Sequence, residues 1–232
     1  LRGMLGADLI GFHTFDDVRH FLSSVSRILP MPVSSNIVTC DERSVVIESF
    51  PMGIDEQKYA TLPHQPEVLE QAAQIKDIFK NNRIILSIDR LDYSKGILQR
   101  LQALELLLEE HPEYIGKITL YMVVVPSRDT VPQYMHLHDQ IDKKVGNINA
   151  KYRTFEWTPV SYYYRSLSIE TLSALYSTAD VCLVNPMRDG MNLVSKEYVA
   201  SRTNNDGVLI LSEMAGASRE LIDAIIVNPN NV

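Results

Sequence analysis

Residues 179–200 read Ala179-Asp-Val-Cys-Leu-Val-Asn-Pro-Met-Arg-Asp-Gly-Met-Asn-Leu-Val-Ser-Lys-Glu-Tyr-Val-Ala200. The first part, Val181 to Val184, is a short unbroken apolar run, the pattern of a parallel strand buried on both faces. Asn185 and Pro186 stop it. Arg188, Asp189 and Gly190 make a tight polar turn. Asn192 stands at an N-cap position, and Leu193 to Ala200 reads as a helix. The order strand, glycine-containing turn, helix points to an α/β chain with a parallel sheet.

That order also has a chemical meaning. The first backbone N–H groups of a helix have no partner inside it and carry the positive end of its dipole. Here they belong to Met191, Asn192, Leu193 and Val194. At the C-terminal edge of a parallel sheet such amides make a phosphate site, and Gly190 lets a ligand approach the main chain. Leu193 and Glu197 are four apart and share a helix face. A carboxylate there is an acceptor only, which suits the two hydroxyl donors of a ribose. The plainer reading is that such units occur in every doubly wound fold and that a helical Glu is simply solvated.

Working outward, Ala7 to Gly11 is a short apolar run. Asp16 is placed to cap a helix running to about Leu29, with Val18, Phe21, Leu22, Val25 and Ile28 on its apolar side. Ser44 to Phe50 reads as a strand and Pro51 to Asp55 as a turn into a new segment. A helix is predicted from about Glu67 to Lys80 and a strand from Arg83 to Ile88. Asp89 to Gly96 is a second polar turn, followed by a helix over Ile97 to Glu110 with Ile97, Leu101, Leu104 and Leu108 on one stripe. Ile118 to Val125 is a strand ended by Pro126-Ser-Arg-Asp129. A helix is predicted over Val131 to Val145, a strand over Lys151 to Trp157, and a loop over the Tyr162-Tyr-Tyr164 cluster. Ser168 caps a helix reaching about Thr178. Val208 to Leu211 and Ala224 to Val227 are two more strands. Alternation of strand and helix predicts a doubly wound parallel sheet, Rossmann-like, covered on both faces.

Composition bounds the function. The 232 residues suffice for one large or two small domains, and 45% of them are hydrophobic. The formal charge is -7 with no dense basic run, which argues against nucleic acid and against an anionic membrane surface. No apolar run approaches the roughly 20 residues of a membrane span. Cys40 and Cys182 give no disulfide framework, so a reducing cytoplasm is expected. His136 and His138, two apart on a helix, point to different faces, and no Cys/His cluster offers zinc. The first residue is Leu1, and the chain stops just after a strand-like run; the ends are read as those of a piece of a longer protein.

Three polar turns leave predicted strand ends: Asp89 to Gly96, Pro126 to Asp129, and Met187 to Asn192. They bring Arg90, Lys95, Arg128 and Asp189 to one sheet edge. Internal pairing, for example Arg90 with Asp92 or Lys95 with Asp89, is the alternative use of these charges. Neither a P-loop, a dinucleotide fingerprint nor a G-x-S-x-G elbow is present.

At these residues the chain closely resembles the trehalose-6-phosphate synthase family. Ser87 to Gly96 and Arg188 to Ala200 carry the likeness, with Ala7 to Phe15, Phe50 to Asp55 and Trp157-Thr-Pro159 adding to it. The resemblance implies a two-lobed glycosyltransferase of the GT-B type. Residues 1–50 would be a remnant of the N-terminal lobe, and residues 51–232 a nucleotide-sugar-binding lobe truncated at its end. It implies glucose transfer from UDP-glucose to glucose 6-phosphate, with retention, no metal and no cofactor. Arg90 and Lys95 would be the cations on the donor diphosphate. Asp189 would hold glucose hydroxyls, Gly190 to Val194 would surround sugar and phosphates, Glu197 would take the ribose, and Leu167 would lie against the base. Arg128 would reach the acceptor phosphate. Homo-oligomerisation of the full-length protein is left open. The upstream histidine and glycine motifs of the family lie outside this chain, so it is expected to bind donor without turnover by itself. Two rivals stand beside this reading: a glucosylglycerol-phosphate-type synthase, and a non-catalytic sensor of nucleotide sugar or sugar phosphate.

Overall fold

The alternation of strand and helix builds two sheets in the computed structural model, which describes residues 1–79, 82–128 and 130–231. They belong to two units, Leu1–Gly53 and Ile54–Val232. The first holds β1 (Leu9–Phe12), α1 (Phe15–Ile28), β2 (Val33–Ser34), β3 (Ile37–Cys40) and β4 (Arg43–Ser49), in sheet order β1-β4-β3-β2. β1 runs parallel to β4; the other pairs are antiparallel. Val18, Phe21 and Val25 of α1 pack with Val38, Val45 and Ile47 in its core.

The second unit holds α2 (Glu56–Thr61), α3 (Pro66–Ile78), β5 (Arg83–Arg90), α4 (Ile97–Glu110), β6 (Ile118–Val125), α5 (Pro132–Tyr152), β7 (Val160–Tyr164), α6 (Ile169–Thr178), β8 (Val181–Val184), α7 (Leu193–Ser201), β9 (Val208–Ser212) and β10 (Ile225–Val227). The six strands are all parallel, in the order β10-β9-β8-β5-β6-β7. Successive side chains on a strand point to opposite faces, so this sheet has two cores. Leu86, Ile88, Tyr121 and Val123 join Leu175, Tyr176, Met191 and Tyr198 on one face. Leu120, Met122 and Val124 join Leu101, Leu104, Leu137 and Ile141 on the other.

The chain leaves β5 toward β6 and β7 on one side of the sheet, then returns to lay β8 on the other side of β5. Strand order therefore reverses between β5 and β8. The helix after β5, α4, contributes to one core. The residues that open α7, Met191 to Val194, pack with the other. Two loops that part in this way open a crevice at the C-terminal edge of the sheet. Gly96, at φ +66, stands in it; a Cβ there would lie 2.4 Å from the Asn185 carbonyl oxygen.

Several expectations need correction. Thr14, not Asp16, caps α1: its side chain accepts from Asp17 N, and Ile28 is exposed. Asp89 and Arg90 are not turn residues but the last two of β5, held by pairing with β6. α5 runs seven residues past Val145 to Tyr152, because Ile141, Val145 and Ile148 continue one buried stripe. Lys151 to Trp157 is accordingly no strand. The sheet's edge strand is instead Val160–Tyr164, which contains the Tyr162-Tyr-Tyr164 cluster assigned to a loop. The helix expected to reach Lys80 ends at Ile78, and Lys80 lies outside the described residues, as does Asp129 of the second turn. β2, β3 and α2 were not anticipated.

Leu101 is fully buried, so Leu101→Ala is expected to cost about 2–5 kcal/mol. Urea unfolding checks this; a loss well under about 1 kcal/mol would place Leu101 outside the core. Gly116 also has positive φ, +79, but nothing within 4 Å of the Cβ position. Gly96→Ala is therefore expected to lower the thermal midpoint more than Gly116→Ala. Equal losses would mean that backbone conformation alone is at stake, with no close approach between the two loops.

Candidate functional site

The loop after β5 is built by Asp92. Its carboxylate accepts from Ser94 N at 2.9 Å and from Ser94 Oγ at 2.7 Å, capping a single 3-10 turn, Tyr93–Lys95. Burial raises the Asp92 carboxyl, but the hydrogen bonds from Ser94 and Tyr134 and the Arg90 charge bring it below its ordinary value. The loop after β8 lies against this turn: Met187 N donates to Ser94 O at 2.7 Å and Arg188 N at 3.3 Å. Behind it, Ser212 Oγ donates to Pro186 O at 2.8 Å, and Asp189 N donates to Met214 O at 3.1 Å. The β8 loop is thus held from both sides.

This contact brings Lys95 to Asp189. Lys95 Nζ stands 2.5 Å from Asp189 Oδ2, with the side chains only 17% and 15% exposed. At that burial water screens the pair weakly. Asp189 Oδ2 also accepts from Asn192 Nδ2 at 3.1 Å, and Oδ1 accepts from Met191 N at 3.3 Å. The carboxylate therefore lies at the start of α7, where an anion is favoured. Asn192 takes a left-handed φ of 71°, which its short side chain tolerates. Its Oδ1 accepts from Ser195 N at 3.3 Å, and Ser195 Oγ donates to its carbonyl at 2.7 Å. That is the N-cap the sequence placed there.

One turn further along α7, Glu197 is half-buried rather than solvated. Tyr176 OH donates to its Oε2 at 2.8 Å. Burial first, and Glu197 second, push Tyr176 well above the ordinary tyrosine value and Tyr59 up to about 12. Both phenols stay protonated as donors. Tyr59 and Tyr176 hold the Glu197 carboxylate in place.

The structure thus gathers Lys95, Asp189, Met191 and Asn192 into one contact set, with Gly190 between them in the chain and Leu193, Val194 and Glu197 following on α7. The Met191 amide already has an internal acceptor. Arg90 is exposed at the end of β5. Arg128, at φ 56, donates to Tyr134 OH, which donates in turn to Asp92 Oδ2 at 3.3 Å. Through that tyrosine Arg128 is joined to the β5 loop. Leu167 packs, half-buried, on the core that also receives Leu193 and Val194. Asp89 is not the partner of Lys95: it pairs with Arg100 at 2.7 Å.

Arg100, Asn185, Tyr59 and Tyr176 were missed by the sequence reading. Arg100 did carry a signal. It is three residues from Ile97 and four from Leu104, so a charged residue sits on the apolar stripe of α4. Tyr59 lies in a helix that was not anticipated, and nothing marked Tyr176. Cys182 is wholly buried, and burial pushes its thiol up, as a core residue requires.

Glycosyltransferase family 20 is the family whose sequence model matches, over residues 1–232. An alpha,alpha-trehalose-phosphate synthase [UDP-forming] of Yarrowia lipolytica is 49% identical over 231 residues, 100% of this chain and 49% of the relative. The chain spans about half the length of that relative. The structure of an alpha,alpha-trehalose-phosphate synthase (UDP-forming) from Burkholderia xenovorans in complex with glucose-6-phosphate is similar at TM-score 0.95 and 33% identity, over 99% of this chain and 51% of that one. An E. coli trehalose-6-phosphate structure bound with UDP-2-fluoro glucose gives TM-score 0.93 at 38% identity, over 99% and 51%. The parallel sheet, its crevice and the full-length match agree, and the chain belongs to glycosyltransferase family 20.

Proposed function

We propose that the protein to which this chain belongs transfers glucose from UDP-glucose to glucose 6-phosphate, giving trehalose 6-phosphate with retention at the anomeric carbon. The observation that carries this is the Lys95–Asp189 pair at the opening of α7, in the crevice where strand order reverses. In the reaction the bond from the anomeric carbon to the β-phosphate oxygen breaks. A bond to the acceptor's anomeric hydroxyl oxygen forms, and the hydroxyl proton passes to the departing diphosphate. Negative charge grows on that diphosphate. Lys95, Arg90 and the first amides of α7 are the groups suited to stabilise it. Asp189, released from Lys95, would accept from glucose hydroxyls, and Glu197 from the ribose. Leu167 would lie against the base, and Arg128 would serve the acceptor phosphate.

Residues 1–50 fit a remnant of the N-terminal lobe and residues 51–232 the donor-binding lobe. By itself the chain would bind UDP weakly and not turn over, since groups misplaced by about 1 Å already cost ~10²-fold. A cytoplasmic setting fits two cysteines that form no disulfide. Among the described residues, no helix is long and apolar enough to cross a membrane. Incubating the purified chain with both substrates and following UDP release tests this part. Turnover near that of the full-length protein would overturn it.

Arg90→Ala and Lys95→Ala are each expected to weaken UDP binding tenfold or more, since a hydrogen bond to a charged group contributes about 1.5–3 kcal/mol. Calorimetry reads the loss; unchanged affinity in both would reduce Lys95 to the internal partner of Asp189. Glu197→Gln is expected to weaken UDP more than inorganic diphosphate, which has no ribose. Equal losses for the two ligands would leave Glu197 with only the structural task of anchoring Tyr176.

A further inference from the structure

Arg100 projects from α4 into the sheet edge and is fully buried. Its guanidinium serves four acceptors on three segments. Nη1 stands 2.7 Å from Asp89 Oδ2 and donates to Ser87 Oγ, both at the end of β5. Nε donates to Asn185 Oδ1, just past β8, at 2.7 Å. Nη2 donates to the carbonyl of Lys95 at 3.2 Å. Burial pushes the Asp89 carboxyl above its ordinary value, and the Arg100 charge opposes that rise.

Stability does not explain this arrangement. Removing two charges from water costs about as much as their attraction returns, and apolar residues of similar volume often fill such sites as well or better. An aliphatic side chain cannot, however, fix where three separate segments sit. A planar fork with donors in set directions can. Two of the segments it ties together are those whose spacing defines the site. Lys95, whose carbonyl it holds, carries the ammonium that meets Asp189. Asn185, whose side chain it holds, presents the carbonyl against which Gly96 is packed.

We infer that Arg100 is a positioning residue for the proposed glucosyl transfer, setting the distance between the Lys95 ammonium and the opening of α7 through its bonds to Asp89, Asn185 and the Lys95 carbonyl. It touches neither substrate nor reacting atoms. The inference rests on the function proposed above, and it goes further by placing control of that site in the core beneath it.

The test uses the full-length protein with the double substitution Asp89→Leu/Arg100→Met, which removes both charges together and so leaves none uncompensated, and with Arg100→Lys, which keeps a charge facing Asp89 but loses the fork. The double variant is expected to melt within about 4 °C of the parent. Its kcat is expected to fall by ~10²-fold, with KM for UDP-glucose raised by less than the roughly tenfold expected of Lys95→Ala, because the ammonium is displaced rather than removed. Arg100→Lys is expected to lose ~10-fold in kcat. A double variant with kcat within threefold of the parent would overturn the inference, as would a kcat loss that only tracks a lower melting temperature. A separate readout covers failure of the function itself. In amide spectra of the ligand-free protein, Lys95, Asp189 and Asn192 should shift in the double variant while β7 does not. A parent without turnover, but with those shifts in the variant, would sink the proposed function and keep the positioning role. Unmoved amides would sink the positioning role.

Discussion

The Cβ that Gly96 lacks would stand 2.4 Å from the carbonyl oxygen of Asn185. That missing atom is the constraint on which the site depends. It lets the loop after β5 and the loop after β8 touch, although the elements that follow them pack on opposite faces of the sheet. Any parallel sheet with a reversal of strand order has a crevice at that point. Here the crevice is closed at its base by backbone bonds from Met187 and Arg188 to Ser94. The touching loops put Lys95 and Asp189 side by side and leave the start of α7 facing the sheet edge.

The electrostatics follow from this geometry rather than from composition. A chain of net charge -7 has no general attraction for a diphosphate. The candidate site is local: the Lys95 ammonium beside the first amides of a helix. Asp189 itself is the anion at that helix end, receiving Lys95, Asn192 and the Met191 amide. A bound diphosphate would compete with the carboxylate for these donors. The pair keeps these donors ordered, and Tyr59 and Tyr176 do the same for Glu197.

What the sequence showed and what it hid have physical reasons. α4, β6 and β8 were legible residue for residue, because a stripe at helical spacing and an unbroken apolar run each admit one buried arrangement. β7 was not, because it lies at the sheet edge, half-buried, and three tyrosines carry no alternation of apolar and polar. Lys151 to Trp157 looked extended only because the polar stretch before it hid Ile148, which continues the buried stripe of α5. The two turns that carry Lys95 and Asp189 were found from punctuation alone. Their direct pairing was not, since spacing along the chain says nothing about which carboxylate a lysine meets across a crevice. Arg100 could have been found, as a charge on an apolar stripe needs a buried partner. Tyr59 and Tyr176 could not, as nothing in their neighbourhoods asks for a carboxylate.

The central claim is that the two touching loops and the opening of α7 form one diphosphate site. Amide chemical-shift mapping of the chain on titration with UDP tests it most directly. The account predicts shifts concentrated at Lys95 and from Gly190 to Val194, extending along α7 to Glu197. The hollow lined by Arg202, Asp206 and Ile225 at the other end of α7 should stay unmoved. Shifts confined to that hollow, or none at Lys95 and Asn192 at saturating UDP, would contradict it.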